Sequence, residues 1–291
     1  MKAVIPVAGF GTRMLPASKA IPKELITLLD KPLIQYVVNE AALAGITDVV
    51  FVTHASKAAI ENHFDTHFEL ESQLINKGNT ELLKCVRSIA PSGMCFSAVR
   101  QARGQGLGHA VLCARSLIGD DDFVVMLPDV LLSDYECNHA KDNLAAMCAR
   151  FAESQVSQIL VEDVPPTEVN KYGIADLANI PDKGAVAQLN GVVEKPPVGS
   201  APSTLAVVGR YVLSRQIWPL LAQTEPGRGG EVQLTDAIDA LIRIAPVEAF
   251  RMTGRSHDCG SKAGYIETFV EYALRHPRYC ELVKSKFAEN M

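Results

Sequence analysis

The chain has 291 residues, with 28 Lys and Arg against 33 Asp and Glu, a formal net charge of −5, and 48% hydrophobic residues. That balance fits a soluble globule able to bury a substantial core, as one large α/β domain or two small ones, and it excludes long disordered tracts. The acidic excess argues against a nucleic-acid partner, which needs a broad basic surface, but a small polyanion needs only a local basic pocket.

A buried strand is predicted over 2–7, followed at once by Ala8-Gly9-Phe10-Gly11-Thr12-Arg13, then Lys19 and Pro22-Lys23. Gly9 and Gly11 let the backbone turn sharply and bring N–H groups against phosphate oxygens, and the three cations add positive charge. A third glycine for a dinucleotide fingerprint is missing, as is the Gly-Lys-Ser/Thr ending of a P-loop. Next come a helix over 32–44, a strand over 48–53, a polar helical insertion over 64–90 packing beside this half, a helix over 108–117, a strand over 123–127, a helix over 143–153 and a strand over 158–164. Alternation of this kind predicts a mostly parallel sheet covered on both faces, with ligands at the carboxyl ends of its strands. From Tyr172 onward, strands over 173–177, 185–194 and 205–213 extend the sheet. A helix over 231–244 carries the apolar stripe Leu234, Ala237, Ile238, Leu241 and Ile242, as core packing requires. The helix over 262–276, with Tyr265, Phe269 and Tyr272, suits core or subunit contact alike.

The seven cysteines are scattered and never spaced Cys-x-x-Cys, which argues against a disulfide framework or a zinc site; most are expected to be small buried apolar residues. Signal-peptide features and membrane-length apolar runs are not found, so a cytoplasmic protein without a membrane partner is expected.

Gly9-Phe-Gly-Thr-Arg13 and Pro22-Lys23 are followed by Pro32-Leu-Ile-Gln-Tyr36, Glu61-Asn-His-Phe-Asp65, Gly106-Leu-Gly-His109 and Leu127-Pro-Asp129. Val193-Glu-Lys-Pro196, Val208-Gly-Arg-Tyr211, Gln233-Leu-Thr-Asp-Ala237 and His257-Asp-Cys-Gly260 complete the series. In this order the motifs resemble the sugar-1-phosphate nucleotidyltransferases almost end to end, and among them the bacterial UTP–glucose-1-phosphate uridylyltransferases. The resemblance implies a Rossmann-like three-layer α/β/α fold with a mixed, mostly parallel central sheet. It implies one domain over 1–291, divided into a nucleotide-binding half (1–165), a sugar-binding half (166–260) and a C-terminal helical segment (261–291). It further implies UTP and glucose 1-phosphate as substrates, UDP-glucose and pyrophosphate as products, Mg2+ as cofactor, and a homodimer or homotetramer. A relative using dTTP, and a non-catalytic regulatory paralogue, are the alternatives.

The residues suit that chemistry. A sugar phosphate is already an anion, so its attack on an α-phosphorus needs no general base; the obstacle is repulsion between polyanions, which calls for cations and a metal. By the resemblance, Gly11, Thr12 and Arg13 wrap the triphosphate, with Arg13 and Lys23 as the catalytic cations. Asp129 binds metal unless it is only a loop or cap acceptor, with Asp258 as the second carboxylate. Gln101, if not merely a surface glutamine, offers a donor and an acceptor matching uracil O4 and N3–H. Gly106 and Gly108 would let main chain approach the uracil plane, with Ala8 and Gly9 on its other side and Glu24 nearby. Glu194 would accept from glucose hydroxyls and Lys195 contact the sugar phosphate, unless the two form only an exposed ion pair; Gly173 and Gly209 match positions lining the hexose pocket. Cys259 has no nucleophilic task in a direct displacement, and His109 and His257 are read as structural.

Overall fold

The computed structural model describes residues 1–289, so the last two residues of the expected 261–291 segment lie outside the described residues. Its strands are β1 (Lys2–Pro6), β2 (Thr27–Leu28), β3 (Lys31–Pro32), β4 (Asp48–Thr53), β5 (Cys95–Arg100), β6 (Phe123–Met126), β7 (Val130–Leu132), β8 (Ser157–Asp163), β9 (Gly173–Leu177), β10 (Val186–Glu194), β11 (Leu205–Leu213), β12 (Val247–Arg251) and β13 (Ser256–Asp258). A nine-stranded sheet has the order β5-β4-β1-β6-β11-β8-β12-β10-β9. Ladders β4–β5, β1–β4, β1–β6 and β8–β12 are parallel, whereas β11 runs antiparallel to β6 and β8, and β10 antiparallel to β12 and β9. Only β10 and β11 therefore run against the common direction, and the sheet is mixed but mostly parallel.

Strand alternation splits the core into two layers. Ala3, Ile5, Val49, Phe51, Val124 and Met126 face one side, where they meet Val37, Val38 and Ala41 of the helix Leu33–Leu43 and Met147 and Phe151 of the helix Leu144–Ser154. Val4, Val50, Val52, Phe123 and Val125 face the other, against Val111, Trp218, Leu221, Leu234, Ala237 and Leu241. The helix Leu33–Leu43 stops where Gly45 adopts φ 83° and Ile46 N–H donates back to Ala41 O (3.0 Å), a Schellman-type ending that only glycine adopts without strain. The 64–90 insertion contains the helices Phe68–Asn76 and Thr80–Arg87, packed on each other.

Several elements depart from the sequence expectation. The helix expected over 108–117 breaks at Ala114 into Leu107–Cys113 and Arg115–Ile118. Strands β5 and β12 and the helices Ile217–Gln223 and Cys280–Glu289 were not anticipated. All seven cysteines are free, and only Cys259 is fully buried, so most are partly or largely exposed rather than core residues.

The short ladder β7–β13 matters most for the site. It pairs Asp258 with Val130 and His257 with Leu131, and Cys259 N–H donates to Asp129 O (2.8 Å). Two carboxylates remote in sequence are thereby brought side by side at the carboxyl end of β6.

Candidate active site

β1 ends at Pro6, and the chain then leaves the sheet. Val7 N–H still reaches Val52 O (2.8 Å); among the described residues, the main-chain N–H groups of Ala8, Gly9, Phe10 and Gly11 reach no protein acceptor. A run of unpaired amides is a ready receptor for phosphate oxygens. Gly11 adopts the left-handed conformation (φ 67°, ψ 32°), its carbonyl accepting from Met14 N–H (2.9 Å) and Ser18 Oγ (2.7 Å). A Cβ at Gly9 would meet no protein atom within 4 Å, so that face of the loop is open. Thr12 and Arg13 follow in a 3-10 turn with exposed side chains.

The charged centre lies beside this loop. Lys23 Nζ donates to Asp129 Oδ2 at 2.5 Å, and Arg13 Nη2 lies 3.7 Å from the same oxygen. Burial raises the Asp129 carboxyl, but Lys23, with Arg13 behind it, lowers it by more, so the group is held ionised below the usual carboxylate range. Gly260 probes the geometry: a Cβ there would lie 2.5 Å from Asp129 Oδ2, 3.0 Å from Arg13 Nη2 and 3.0 Å from Asp258 Oδ1. Asp258 Oδ1 accepts from Gly260 N–H (2.9 Å). Four groups expected to act together thus converge on a cradle lacking a side chain. Hard carboxylate oxygens suit a divalent cation, which can complete its shell with phosphates and water. Among the described residues no group of three or more His, Cys, Asp or Glu could hold a metal by itself.

Glu24, expected near the nucleotide, lies in the turn that carries Lys23. It is 1% exposed, and its Oε2 accepts from Lys57 Nζ at 2.8 Å. A buried carboxylate needs a cation partner; burial pushes its carboxyl up, against the pull of Lys57 and Lys23. Glu24 therefore anchors the turn that presents Lys23. Lys57 carried no signal in sequence, where a lysine is ordinarily a surface residue.

At the end of β5, Gln101 is buried, its N–H donating to Thr53 O (2.9 Å). Its Nε2 lies 3.2 Å from Gly106 O and 3.0 Å from His109 Nδ1. With Nε2 turned to Gly106 O and to His109 Nδ1, Oε1 is the amide atom left without a protein partner, where the sequence predicted that the amide would offer both a donor and an acceptor. The glycines differ from expectation as well: a Cβ on Gly106 or Gly108 would come 2.6 Å or 2.9 Å from Val232 O. Their bare faces serve close packing against the segment before the helix Leu234–Ile242, to which Gly108 N–H donates (2.8 Å to Val232 O).

On the far side, Gly173 pairs with Glu194 across the β9–β10 ladder. A Cβ on Gly173 would lie 3.2 Å from Glu194 Oε2. Glu194 Oε1 contacts Lys195 Nζ (3.1 Å), and Oε2 accepts from Thr235 Oγ1 (3.0 Å), a residue sequence reading quoted in a motif without a role. Gly209 (φ 75°) sits in a bulge of β11, where a Cβ would strike the Leu127 side chain at 2.9 Å. Beside it, fully buried Arg210 forms a bidentate pair with Glu40 (2.9 and 2.7 Å) and donates to the carbonyls of Leu127, Gly209 and Val130. The Leu127 and Val130 carbonyls flank Asp129, so the guanidinium braces the loop that carries it.

The "Nucleotidyl transferase" family model matches residues 2–274. The chain belongs to the nucleotidyl transferase family. It is 58% identical over 292 residues to the UTP–glucose-1-phosphate uridylyltransferase of Haemophilus influenzae, covering 100% of this chain and 99% of that one. Among solved structures it is similar to a UTP-bound UGPase from Acinetobacter baumannii (TM-score 0.91, 50% identity, 99% and 98% of the two chains). It is also similar to a UDP-glucose pyrophosphorylase complexed with UDP-glucose (TM-score 0.82, 40% identity, 93% and 97%). For this nucleotidyl transferase the three-layer fold is accordingly that of UGPase structures. No helix among the described residues is long and apolar enough to cross a membrane.

Proposed function

We propose that this nucleotidyl transferase moves the uridylyl group of UTP onto glucose 1-phosphate, releasing pyrophosphate and forming UDP-glucose. The observation that carries the reading is the convergence of Arg13, Lys23, Asp129 and Asp258 around Gly260, next to a turn of unpaired amides.

A phosphate oxygen of glucose 1-phosphate attacks the α-phosphorus, a new phosphoanhydride bond forms, and the bond to the β-phosphate oxygen breaks with its electrons leaving on pyrophosphate. No proton need move. Two like unit charges about 4 Å apart repel by about 4 kcal/mol at an effective dielectric near 20, so positive charge is the main requirement. Lys23, which borders Asp129, would neutralise the α-phosphate, and Arg13, 64% exposed at its side chain, would follow the leaving pyrophosphate. Mg2+ held by Asp129 and Asp258 would add charge neutralisation at the phosphates. Ala8, Gly9, Gly11 and Thr12 would bind the triphosphate, and Gln101 the base. Gly173, Glu194, Lys195 and Gly209, with Thr235 steadying Glu194, would receive the sugar phosphate. The chain would work as one domain, in the cytoplasm, as a homodimer or homotetramer; the exposed Ile266 and Phe269 on the helix Lys262–Arg275 offer apolar surface for such a contact, and light scattering tests it.

The test is pyrophosphate release with glucose 1-phosphate and Mg2+, comparing UTP, dTTP and CTP at equal concentration. UTP should be used best; a clear dTTP preference points to a thymidylyltransferase, and no release with any of them to a regulatory protein.

A further inference from the structure

The Gln101 side chain is held in place by the protein itself. Its Nε2 faces Gly106 O (3.2 Å) and His109 Nδ1 (3.0 Å). A main-chain carbonyl can only accept, so the amide corner against Gly106 has to be the nitrogen. The second hydrogen on that nitrogen then meets His109 Nδ1, which must be the unprotonated ring nitrogen, with the imidazole proton on Nε2. Turning the amide over would set Oε1 against the Gly106 carbonyl, losing that bond and adding lone-pair repulsion, and would need the His109 proton to move to Nδ1 for the second contact to survive. His109 is itself fixed on the helix Leu107–Cys113, which is pinned through Gly108 to Val232.

We infer that His109 is a positioning residue for base selection. Through its Nδ1 it takes the amide hydrogen that Gly106 O leaves over, and with that carbonyl it holds Gln101 with Oε1 as the only amide atom offered to the base, so the site favours a base whose ring N3 carries hydrogen and repels one whose N3 carries a lone pair. Uracil meets that condition and cytosine does not. The donor for uracil O4 has to come from another group, since neither Gln101 hydrogen is available. The inference rests on the uridylyl reading of the site and deepens it.

The experiment compares the wild type with His109→Leu and His109→Asn. Leucine removes the acceptor but keeps bulk; asparagine places Oδ1 one bond beyond Cγ, as Nδ1 is, and restores the acceptor without the ring. For each protein, kcat and KM are measured with UTP and with CTP, and binding of both nucleotides by calorimetry. His109→Leu should lower the UTP-over-CTP ratio of kcat/KM about tenfold, the size expected from losing one hydrogen bond that orients the amide, with the change in KM and in binding more than in kcat. His109→Asn should recover most of the ratio. A wild-type ratio in His109→Leu overturns the inference, as does an Asn variant that falls as far as the Leu variant, because packing would then be the whole role. If the wild type turns over no UTP, the uridylyl reading fails separately, and the calorimetric UTP-over-CTP ratio in wild type against His109→Leu still decides the role of His109.

Discussion

Arg13 and Lys23 differ in what surrounds them, and that difference sets what their loss should do. Arg13 is largely exposed and touches Asp129 only at 3.7 Å, so little of the fold depends on it. Arg13→Ala should lower turnover by about 10²–10³-fold, the usual effect of deleting one preorganised charge, with circular dichroism and melting unchanged. Unaltered pyrophosphate release would contradict its role. Gly260 makes the complementary prediction. A Cβ there intrudes to 2.5 Å from Asp129 Oδ2, so Gly260→Ala should displace that carboxylate, raising the Mg2+ concentration needed for half-maximal rate several-fold at least; an unchanged metal titration would remove Asp129 from the metal's shell. At this scale sequence was informative wherever a residue type stood out in its setting: glycines, an arginine and a lysine after a buried strand, or an aspartate after Leu-Pro. It was silent on Lys57 and Thr235, because each depends on a partner brought from elsewhere in the chain, and on the bonds holding Gln101, because they depend on how the turn before the helix Leu107–Cys113 folds back.

Strands and helices set how firmly these side chains are held. Arg210 on β11 ties Glu40 of the helix Leu33–Leu43 to the carbonyls on both sides of Asp129, all within the buried interior. Removing one member leaves the other charged and unpaired, at a cost of about 3–5 kcal/mol. Arg210→Met and Glu40→Met should each lower stability by that order in denaturant unfolding. The double variant should lose clearly less than the two single losses together, because it strands no charge; strict additivity would mean that the pair does not act as a unit. Elements of this interior were legible because continuous apolar runs such as Phe123–Met126 and three-to-four periodic stripes such as 234–242 each point to one geometry. β5 was not, since Cys95–Arg100 is a largely exposed edge strand with no apolar run to mark it. The break at Ala114 was hidden likewise: 108–117 reads as one helix until Gly119 and the strand after it fix where the chain must turn.

Across the whole molecule, the two halves named by sequence do not form separate layers. β11, from the half expected to bind sugar, lies between β6 and β8 of the half expected to bind nucleotide, and β13 reaches back to β7 to set Asp258 beside Asp129. A ligand that bridges residues 8–24, 101, 129, 194 and 258 therefore joins segments already interleaved in one sheet, and its binding energy should be felt by the entire fold. UTP at 100 times its dissociation constant should add about 2.7 kcal/mol of stability. In thermal unfolding this appears as one transition moved upward by UTP with Mg2+, less by either alone, and moved back toward its starting point by EDTA if Asp129 and Asp258 hold the metal. Two transitions, one of them unmoved by nucleotide, would show that the halves unfold independently and that the interleaved sheet does not couple them.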